Sequence, residues 1–147
     1  MVSRFERFSF AISEIYRHWH KIAADEMEKC GLKGPYAVYF TAMCRFPEGI
    51  TSAQLAEVCS RDKSDVSRAI SLMEKKGLVM KEGSTYRALI KLTDEGNKVA
   101  DFINERAAHA VNLGGKGLSE DERNQFYNTL ELIVSNLQAI SQEGLPQ

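Results

Sequence analysis

The sequence predicts a mainly α-helical fold with one small β-hairpin, on three observations. Apolar residues recur every three or four positions near both ends of the chain, glycine and proline separate the segments, and one pair of short apolar runs flanks a turn signal. The chain has 147 residues, of which 44% are hydrophobic and 27% charged, and this suits one compact domain with its own core. No apolar run could cross a bilayer and the N-terminus lacks a signal-peptide core, so we expect a cytoplasmic protein with no membrane partner.

Two helices are predicted in the first third of the chain. The first covers about residues 3–29, because its apolar residues form one stripe at helical spacing. Gly31 and Gly34 separate it from a second helix over about 35–45, since Pro35 is tolerated in a first turn. Residues 46–49 form a turn.

Two more helices follow at the centre, separated by a three-residue turn. Thr51 and Gln54 form a capping box that starts a short helix ending near Cys59. Asp62 can cap the next helix, about 63–76, which Gly77 ends in a left-handed conformation. The inner face of this fourth helix is predicted to hold Val66, Ala69, Ile70 and Met73.

A two-stranded hairpin and two long helices complete the chain. Residues 78–81 and 88–92 are the predicted strands, and 82–85 form the turn between them. A helix opens at 93–96 with two acidic residues at its positive dipole end. After a glycine-rich corner, a capping box of Ser119 and Glu122 starts the last helix, which we expect to fray after about Ile140.

Charge is distributed unevenly along the chain. Residues 61–91 contain eight basic and four acidic residues, a net charge of +4, whereas 92–147 contain four basic and nine acidic residues, a net charge of −5. Residues 1–60 balance, and the whole chain carries −1. A basic segment bounded by turns is a plausible surface for a phosphate backbone.

The basic segment coincides with a helix, a short turn, a second helix and a hairpin. This order is that of a winged helix-turn-helix, in which the first helix packs across the second and holds it for the major groove. Arg68 can reach a guanine edge or a phosphate, while Asp65 either accepts from a cytosine amino group or caps the helix with Asp62. The residues predicted to contact DNA are Thr51, Ser52, Arg61, Lys63, Ser64, Asp65, Ser67, Arg68, Ser71, Lys81 and Arg87.

Residues 50–96 resemble the MarR (multiple antibiotic resistance regulator) family of winged helix-turn-helix regulators. The Val-Ser-Arg ending at Arg68, the Lys-Lys-Gly-Leu-Val ending at Val79 and the Leu-Thr-Asp-Glu-Gly ending at Gly96 have the spacing of that family. The resemblance implies a transcriptional repressor that binds a pseudo-palindromic operator in double-stranded DNA and that a small ligand or an oxidant relieves. Where many members carry Asp-Arg-Arg at the wing tip, this chain has residues 84–87, and Arg87 is the nearest counterpart of the arginine that enters the minor groove.

The resemblance also implies a homodimer with interlocking terminal helices. We expect a single chain with dimerisation helices at 1–34 and 98–147 around a DNA-binding lobe at 35–97. The apolar stripes of the terminal helices agree, because a winged helix alone offers them too little surface to pack on. These stripes include Phe8, Ile12, Ile15, Leu130, Ile133 and Leu137.

The effector and the class of protein leave alternatives open. Five side chains from the first two helices could line a pocket for a small aromatic ligand or could be core or dimer interface: Trp19, His20, Tyr36, Tyr39 and Phe40. Cys30, Cys44 and Cys59 contain no Cys-x-x-Cys pair, so we expect three reduced thiols, with a redox-sensing thiol as the alternative. A winged helix that docks proteins without binding DNA is a further alternative.

Enzymatic and metal-dependent functions lack support in the sequence. His18 and His20 lie two positions apart on a helix and cannot share a face. No glycine-rich phosphate loop, Gly-x-Ser-x-Gly or His-Glu-x-x-His is present. The spacing of Cys30, His20 and His109 does not favour a metal site either. We therefore predict neither catalysis nor a cofactor.

Overall fold

The computed structural model describes residues 1–83 and 87–147, and it confirms a mainly helical fold with a two-stranded wing. Residues 84–86, which include the second half of the predicted wing turn, lie outside the described residues. No helix in the described ranges is long and apolar enough to span a membrane. The helices are α1 (Arg4–Glu28), α2 (Ala37–Met43, preceded by a 3-10 turn at Gly34–Tyr36), α3 (Ser52–Cys59), α4 (Lys63–Lys75), α5 (Asp94–Gly114) and α6 (Glu120–Glu143), and the strands are β1 (Val79–Glu82) and β2 (Leu89–Leu92).

The chain divides into two compact units, Met1–Ala108 and His109–Gln147. The first unit contains the buried core, to which α1 to α5 and both strands contribute. Its most enclosed side chains include Phe40, Leu55, Val66 and Ile90, each at most 1% exposed. The second unit contains the end of α5 and all of α6, which starts at the predicted capping box of Ser119.

The inner face of α4 is as predicted. Val66, Ala69, Ile70 and Met73 are each at most 1% exposed, so one whole face of α4 is fixed against the core. The capping box that starts α3 is also confirmed, because the Gln54 N–H donates to Thr51 Oγ1 at 3.2 Å and the Thr51 N–H donates to Gln54 Oε1 at 3.1 Å. Local sequence signals thus place both helices of the helix-turn-helix.

The hairpin is joined to the start of α3 by a third short stretch of chain. β1 and β2 pair antiparallel, with Val79 opposite Leu92 and Glu82 opposite Leu89. Ile50 forms a two-way bridge with Ile90, since each N–H donates to the other's carbonyl at 3.1 and 2.8 Å. The base of the hairpin is therefore attached to the residue that leads into α3.

The end of α4 is tied to the start of α5 through Thr93. Its hydroxyl donates to the Gly77 carbonyl at 2.6 Å, and its N–H donates to the Leu78 carbonyl at 3.0 Å. Gly96 is buried one turn further on, where a Cβ would overlap the Leu78 carbonyl oxygen. Only glycine allows α5 to approach the exit of α4 this closely.

Three local predictions need correction. Asp62 occupies the N-cap position of α4, but its side chain makes no capping hydrogen bond, and the exposed first turn is left to solvent. The second helix is shorter than 35–45, because Pro35 lies in a 3-10 turn and the Arg45 N–H bonds to Ala42, three residues back. The last helix continues past Ile140 to Glu143, where Gly144 ends it.

The turn between α3 and α4 contains a strained residue. Ser60 has φ 51° and ψ 49°, and it is the one non-glycine residue with positive φ in the ranges described. This conformation costs an L-residue about 1–2 kcal/mol, while glycine loses about 0.5–1 kcal/mol of chain entropy in its place. We expect Ser60→Gly to raise the free energy of unfolding by about 0.5–1 kcal/mol in urea denaturation.

Ser71→Gly is the matched control, because Ser71 is exposed in the interior of α4 and has a helical backbone. There the same substitution should lower stability by about 0.5 kcal/mol. An equal loss of stability in both variants would contradict the strain assigned to Ser60.

Candidate nucleic-acid interface

The outward face of α4 is polar along its whole length. The predicted contact residues of this helix are all exposed, on the side opposite the buried apolar face: Lys63, Ser64, Asp65, Ser67, Arg68 and Ser71. Short serine side chains let a helix approach closely, and the major groove of B-DNA is wide enough to admit one. The helix thus presents hydrogen-bond donors and two cations on a rigid support.

Asp65 does not cap α4 in the free protein, and its contact with a cytosine amino group stays a prediction. Its carboxylate forms an ion pair with the Arg68 guanidinium one turn along α4, and both side chains are exposed. An exposed pair of this kind contributes only about 0–1 kcal/mol. Arg68 is therefore oriented by Asp65 at little cost and can be released to a stronger anionic partner.

The other predicted contact residues lie around α4 in the first unit. Thr51 and Ser52 are half-buried at the start of α3, and the Thr51 hydroxyl donates to Gln54 Oε1 at 3.2 Å within its capping box. Lys81 is exposed on β1, and Arg87 is exposed just after residues 84–86. Arg61 is exposed in the turn between α3 and α4.

A cavity of about 400 Å³ lies beside this turn, between α1, α2 and α5. Of the five residues predicted to line a ligand pocket, Trp19 and His20 line this cavity, whereas Tyr36, Tyr39 and Phe40 do not. Ligand binding there stays a prediction. The orientation of α2 explains the difference. Tyr39 and Phe40 face the core at 4% and 0% exposure, while other residues of α2 face the cavity. Those cavity-facing residues of α2 are Ala37, Val38 and Thr41.

Sequence analysis missed three polar residues of this cavity: Arg61, Asn104 and Arg106. Arg106 interrupts the apolar stripe of α5, and a charge in such a stripe was the available signal. Arg61 gave no such signal, because its position in a turn does not reveal which way its side chain turns. Asn104 connects α5 to α2. The Thr41 hydroxyl donates to Asn104 Oδ1 at 3.4 Å, and the Asn104 amide donates to Cys44 Sγ at 3.5 Å.

Glu26 ties α1 to α5 at the cavity wall. Arg106 Nε donates to Glu26 Oε2 at 2.9 Å, and Lys29 Nζ donates to Oε1 at 2.9 Å. The hydrogen bond from Lys29, followed by that from Arg106, holds the pKa of Glu26 below its ordinary value of 4.5. The carboxylate is therefore stabilised in the folded state relative to the unfolded chain.

We expect Glu26 to make stability depend on pH on the acid side. A lowered pKa contributes stability that is present above the ordinary pKa of 4.5 and is lost as pH falls through the folded pKa. Glu26→Gln should therefore be less stable than wild type in thermal unfolding at pH 7, and the two proteins should converge in acid. Glu105→Gln, an exposed change on α5, serves as the control. A difference between Glu26→Gln and wild type that does not shrink in acid would exclude the ion pair as its source.

The three thiols are free and differ in accessibility. Burial, with a smaller contribution from Glu26, raises the pKa of the half-buried Cys30. Burial also raises the pKa of the buried Cys59. Cys44 is exposed and accepts the hydrogen bond from Asn104. The part of the chain that the structure describes contains no group of three His, Cys, Asp or Glu residues that could hold a metal ion.

The helix-turn-helix, its wing and the exposed polar face of α4 define a winged helix-turn-helix protein. Residues 30–85 match the sequence profile of the MarR family. Over this segment the chain is similar to MarR family transcriptional regulators. No curated protein sequence matches the chain.

Solved structures of transcriptional regulators share the fold over most of their length. The transcriptional regulator SlyA is 25% identical, with a TM-score of 0.78 over 88% of this chain and 93% of that one. A MarR transcriptional regulator from Methanosarcina mazei Go1 is 21% identical, with a TM-score of 0.84 over 95% and 94%. A putative MarR family regulator from Listeria monocytogenes, complexed with a 26mer DNA, is 22% identical, with a TM-score of 0.80 over 100% and 99%.

Proposed function

We propose that the protein is a cytoplasmic repressor that binds a pseudo-palindromic operator in double-stranded DNA. The observation that carries the proposal is the outward face of α4, which is polar and basic directly opposite a fully buried apolar face. A helix held in this way can enter the major groove without losing its own support. The Listeria monocytogenes relative, which was crystallised with DNA, supports the same use of the fold.

Each predicted contact residue except Asp65 has a role in this arrangement. Arg68 reads a guanine edge or holds a phosphate, and Lys63 neutralises a phosphate at the first turn of α4. Serines of α4 donate to phosphates or bases, and Arg61 holds the backbone beside the turn. Thr51, Ser52, Lys81 and Arg87 contact the flanking backbone, with Arg87 in the position of a wing arginine.

Footprinting on the DNA upstream of the protein's own gene tests this proposal. We expect protection of two half-sites separated by about 10 base pairs, one turn of the duplex. Affinity should fall steeply with salt, because each phosphate contact releases condensed counterions. Protein that gives no footprint, and whose weak binding to duplex DNA is insensitive to salt, would instead support docking to another protein.

We further propose that helices from both ends of the chain, 1–34 and 98–147, form a homodimer interface. Within the first unit, α1 leaves Phe8, Ile12 and Ile15 at least 41% exposed. Within the second, α6 leaves Leu137 48% exposed, and other apolar residues of α6 are also accessible. Exposed apolar side chains along both helices are typical of an interaction site.

We expect sedimentation equilibrium to show a dimer at micromolar concentration. Its interface should bury more than about 2,000 Å² in total, as in obligate homodimers. A variant that combines Ile12→Glu and Ile15→Glu should dissociate, because each dimer would bury four new charges. Ser13→Glu adds a charge to the same turn of α1 at an exposed polar position and should leave the dimer intact. Wild-type protein that sediments as a monomer would contradict the proposed interface.

The cavity favours a small ligand over an oxidant as the signal that relieves repression. It is about 400 Å³ in volume and mostly apolar, with Trp19 and His20 in its wall, and this suits a small aromatic compound. Two of the three thiols have raised pKa values, which lower their reactivity. If peroxide abolished operator binding and Cys44→Ser restored it, the oxidant would replace the ligand.

A further inference from the structure

A second cavity, of about 370 Å³, lies in the first unit between the exit of α2, the end of β2 and the first half of α5. It shares Asn104 with the cavity described above, but the rest of its wall is different. Polar side chains of α5 form one part of this wall, and apolar side chains of α2, β2 and the turn after α2 form much of the rest. The polar residues are Asn97, Asp101 and Asn104, and the apolar ones include Met43, Phe46 and Leu92.

Asp101 is the one charged residue of this wall among those that the structure describes. It is exposed, and within residues 1–83 and 87–147 no hydrogen bond or ion pair engages its carboxylate. The lysines nearest to the wall along β2 and α5 pair elsewhere, Lys91 with Glu82 at 3.0 Å and Lys98 with Glu95 at 2.9 Å. The second cavity therefore carries a negative charge that no ion pair of the described residues compensates.

Asn97 adds a neutral acceptor beside this carboxylate. It lies four residues before Asp101 on α5, so the two side chains share one face of the helix, and no hydrogen bond engages its amide in the part of the chain described. Asn104 is already engaged, because it accepts from the Thr41 hydroxyl and donates to Cys44 Sγ. An ammonium group has three donors, enough for the Asp101 carboxylate, Asn97 Oδ1 and a water molecule.

We propose that the second cavity binds a compact organic ammonium ion, with its cationic head on Asp101 and Asn97 and its apolar body against Phe46 and Leu92. A hydrogen bond to a carboxylate is stronger when its donor is also charged, and the face of the Phe46 ring attracts a cation. A divalent metal ion fits less well, because it needs several oxygen ligands and the described wall offers one carboxylate. The proposal depends neither on DNA binding nor on the first cavity.

2-Phenylethylammonium and its neutral counterpart 2-phenylethanol test the proposal, since they differ in charge at one end only. Isothermal titration calorimetry without DNA measures both affinities. We expect wild type to bind the ammonium about 10-fold more tightly than the alcohol, and less so as salt screens the charge. Asp101→Asn keeps the shape of the side chain and should abolish this preference. Glu105→Gln removes an exposed carboxylate of α5 outside the wall and should retain it.

Cys44 reports where the ammonium binds. Its thiol is exposed and belongs to the wall of the second cavity, whereas Cys30 lies outside that wall. We expect saturating 2-phenylethylammonium to slow the alkylation of Cys44 by iodoacetamide several-fold and to leave that of Cys30 unchanged, as measured by mass spectrometry. The same concentration should not protect Cys44 in Asp101→Asn. Thermal unfolding shows whether the variants are folded, and bound ammonium should raise the melting temperature of wild type.

Three outcomes would overturn the proposal: equal affinity of wild type for the two probes, a preference for the ammonium retained in Asp101→Asn, or alkylation of Cys44 that the ammonium does not slow. A preference lost equally in Glu105→Gln would overturn it as well, because the cation would then be attracted by the acidic surface of α5 and not by a site.

Discussion

Replacement of Arg68 by alanine is expected to weaken operator binding by about 1–3 kcal/mol per half-site, and by roughly twice that in a dimer. Arg68 lies in the middle of the exposed face of α4, and its partner in the free protein is the exposed Asp65. Breaking that pair costs little, so nearly all of the new contact with DNA counts toward affinity. The measurement is fluorescence anisotropy with the footprinted operator at several salt concentrations.

Two further variants distinguish recognition of bases from electrostatic attraction to phosphates. Lys63→Ala should weaken binding to all sequences and reduce the salt slope by about one unit for each phosphate that is no longer neutralised. Asp65→Asn removes the carboxylate that holds Arg68 and should strengthen non-specific binding. Circular dichroism should be unchanged throughout, because these side chains point away from Val66 and Ile70. Normal operator affinity in Arg68→Ala would refute the proposed placement of α4.

Gly96→Ala is expected to destabilise the protein by about 3 kcal/mol, and so to lower the melting temperature by about 6–12 °C. The added methyl would overlap the Leu78 carbonyl oxygen, which is backbone and already accepts the Thr93 N–H. The backbone would have to separate there, and this would loosen the tie between α5 and the exit of α4. We therefore expect operator affinity to fall as well.

The destabilisation expected for Gly96→Ala is opposite in sign to the usual effect. Glycine to alanine in a helix normally stabilises by about 1 kcal/mol. Gly114→Ala provides that comparison at the other end of α5, where nothing lies within 4 Å of the added Cβ. We expect it to leave the melting temperature unchanged or to raise it. A Gly96→Ala protein as stable as wild type would show that α5 can move away from α4 without cost.

The elements of the fold were predictable because their signals are local. The capping box of Thr51, the apolar period of α4 and the glycine after Lys76 each act within one or two turns of chain, and each is present in the structure. Asp62 shows the limit of such signals. Its residue type is right for a cap, but a side-chain hydrogen bond at an exposed helix start competes with water.

The candidate site was only partly predictable, because it depends on how helices turn toward one another. Helical spacing groups Val38 with Thr41 and Tyr39 with Met43, but it does not tell which pair faces the core. In the structure the larger Tyr39 and Phe40 lie in the core, and smaller side chains of α2 line the cavity. Sequence analysis assigned Arg61 to the DNA-binding surface. Its position in the cavity wall depends on how α1 and α5 pack, which local sequence signals do not show.

The bridge between Ile50 and Ile90 bears on how the DNA-binding lobe can move. Both residues are at most 1% exposed, and their amides bond to each other's carbonyls, so neither amide should exchange with deuterium unless the lobe opens as a whole. The base of the wing and the entrance to α3 therefore belong to one cooperative folding unit. A displacement that begins at the α3–α4 turn will carry the hairpin with it as a rigid body.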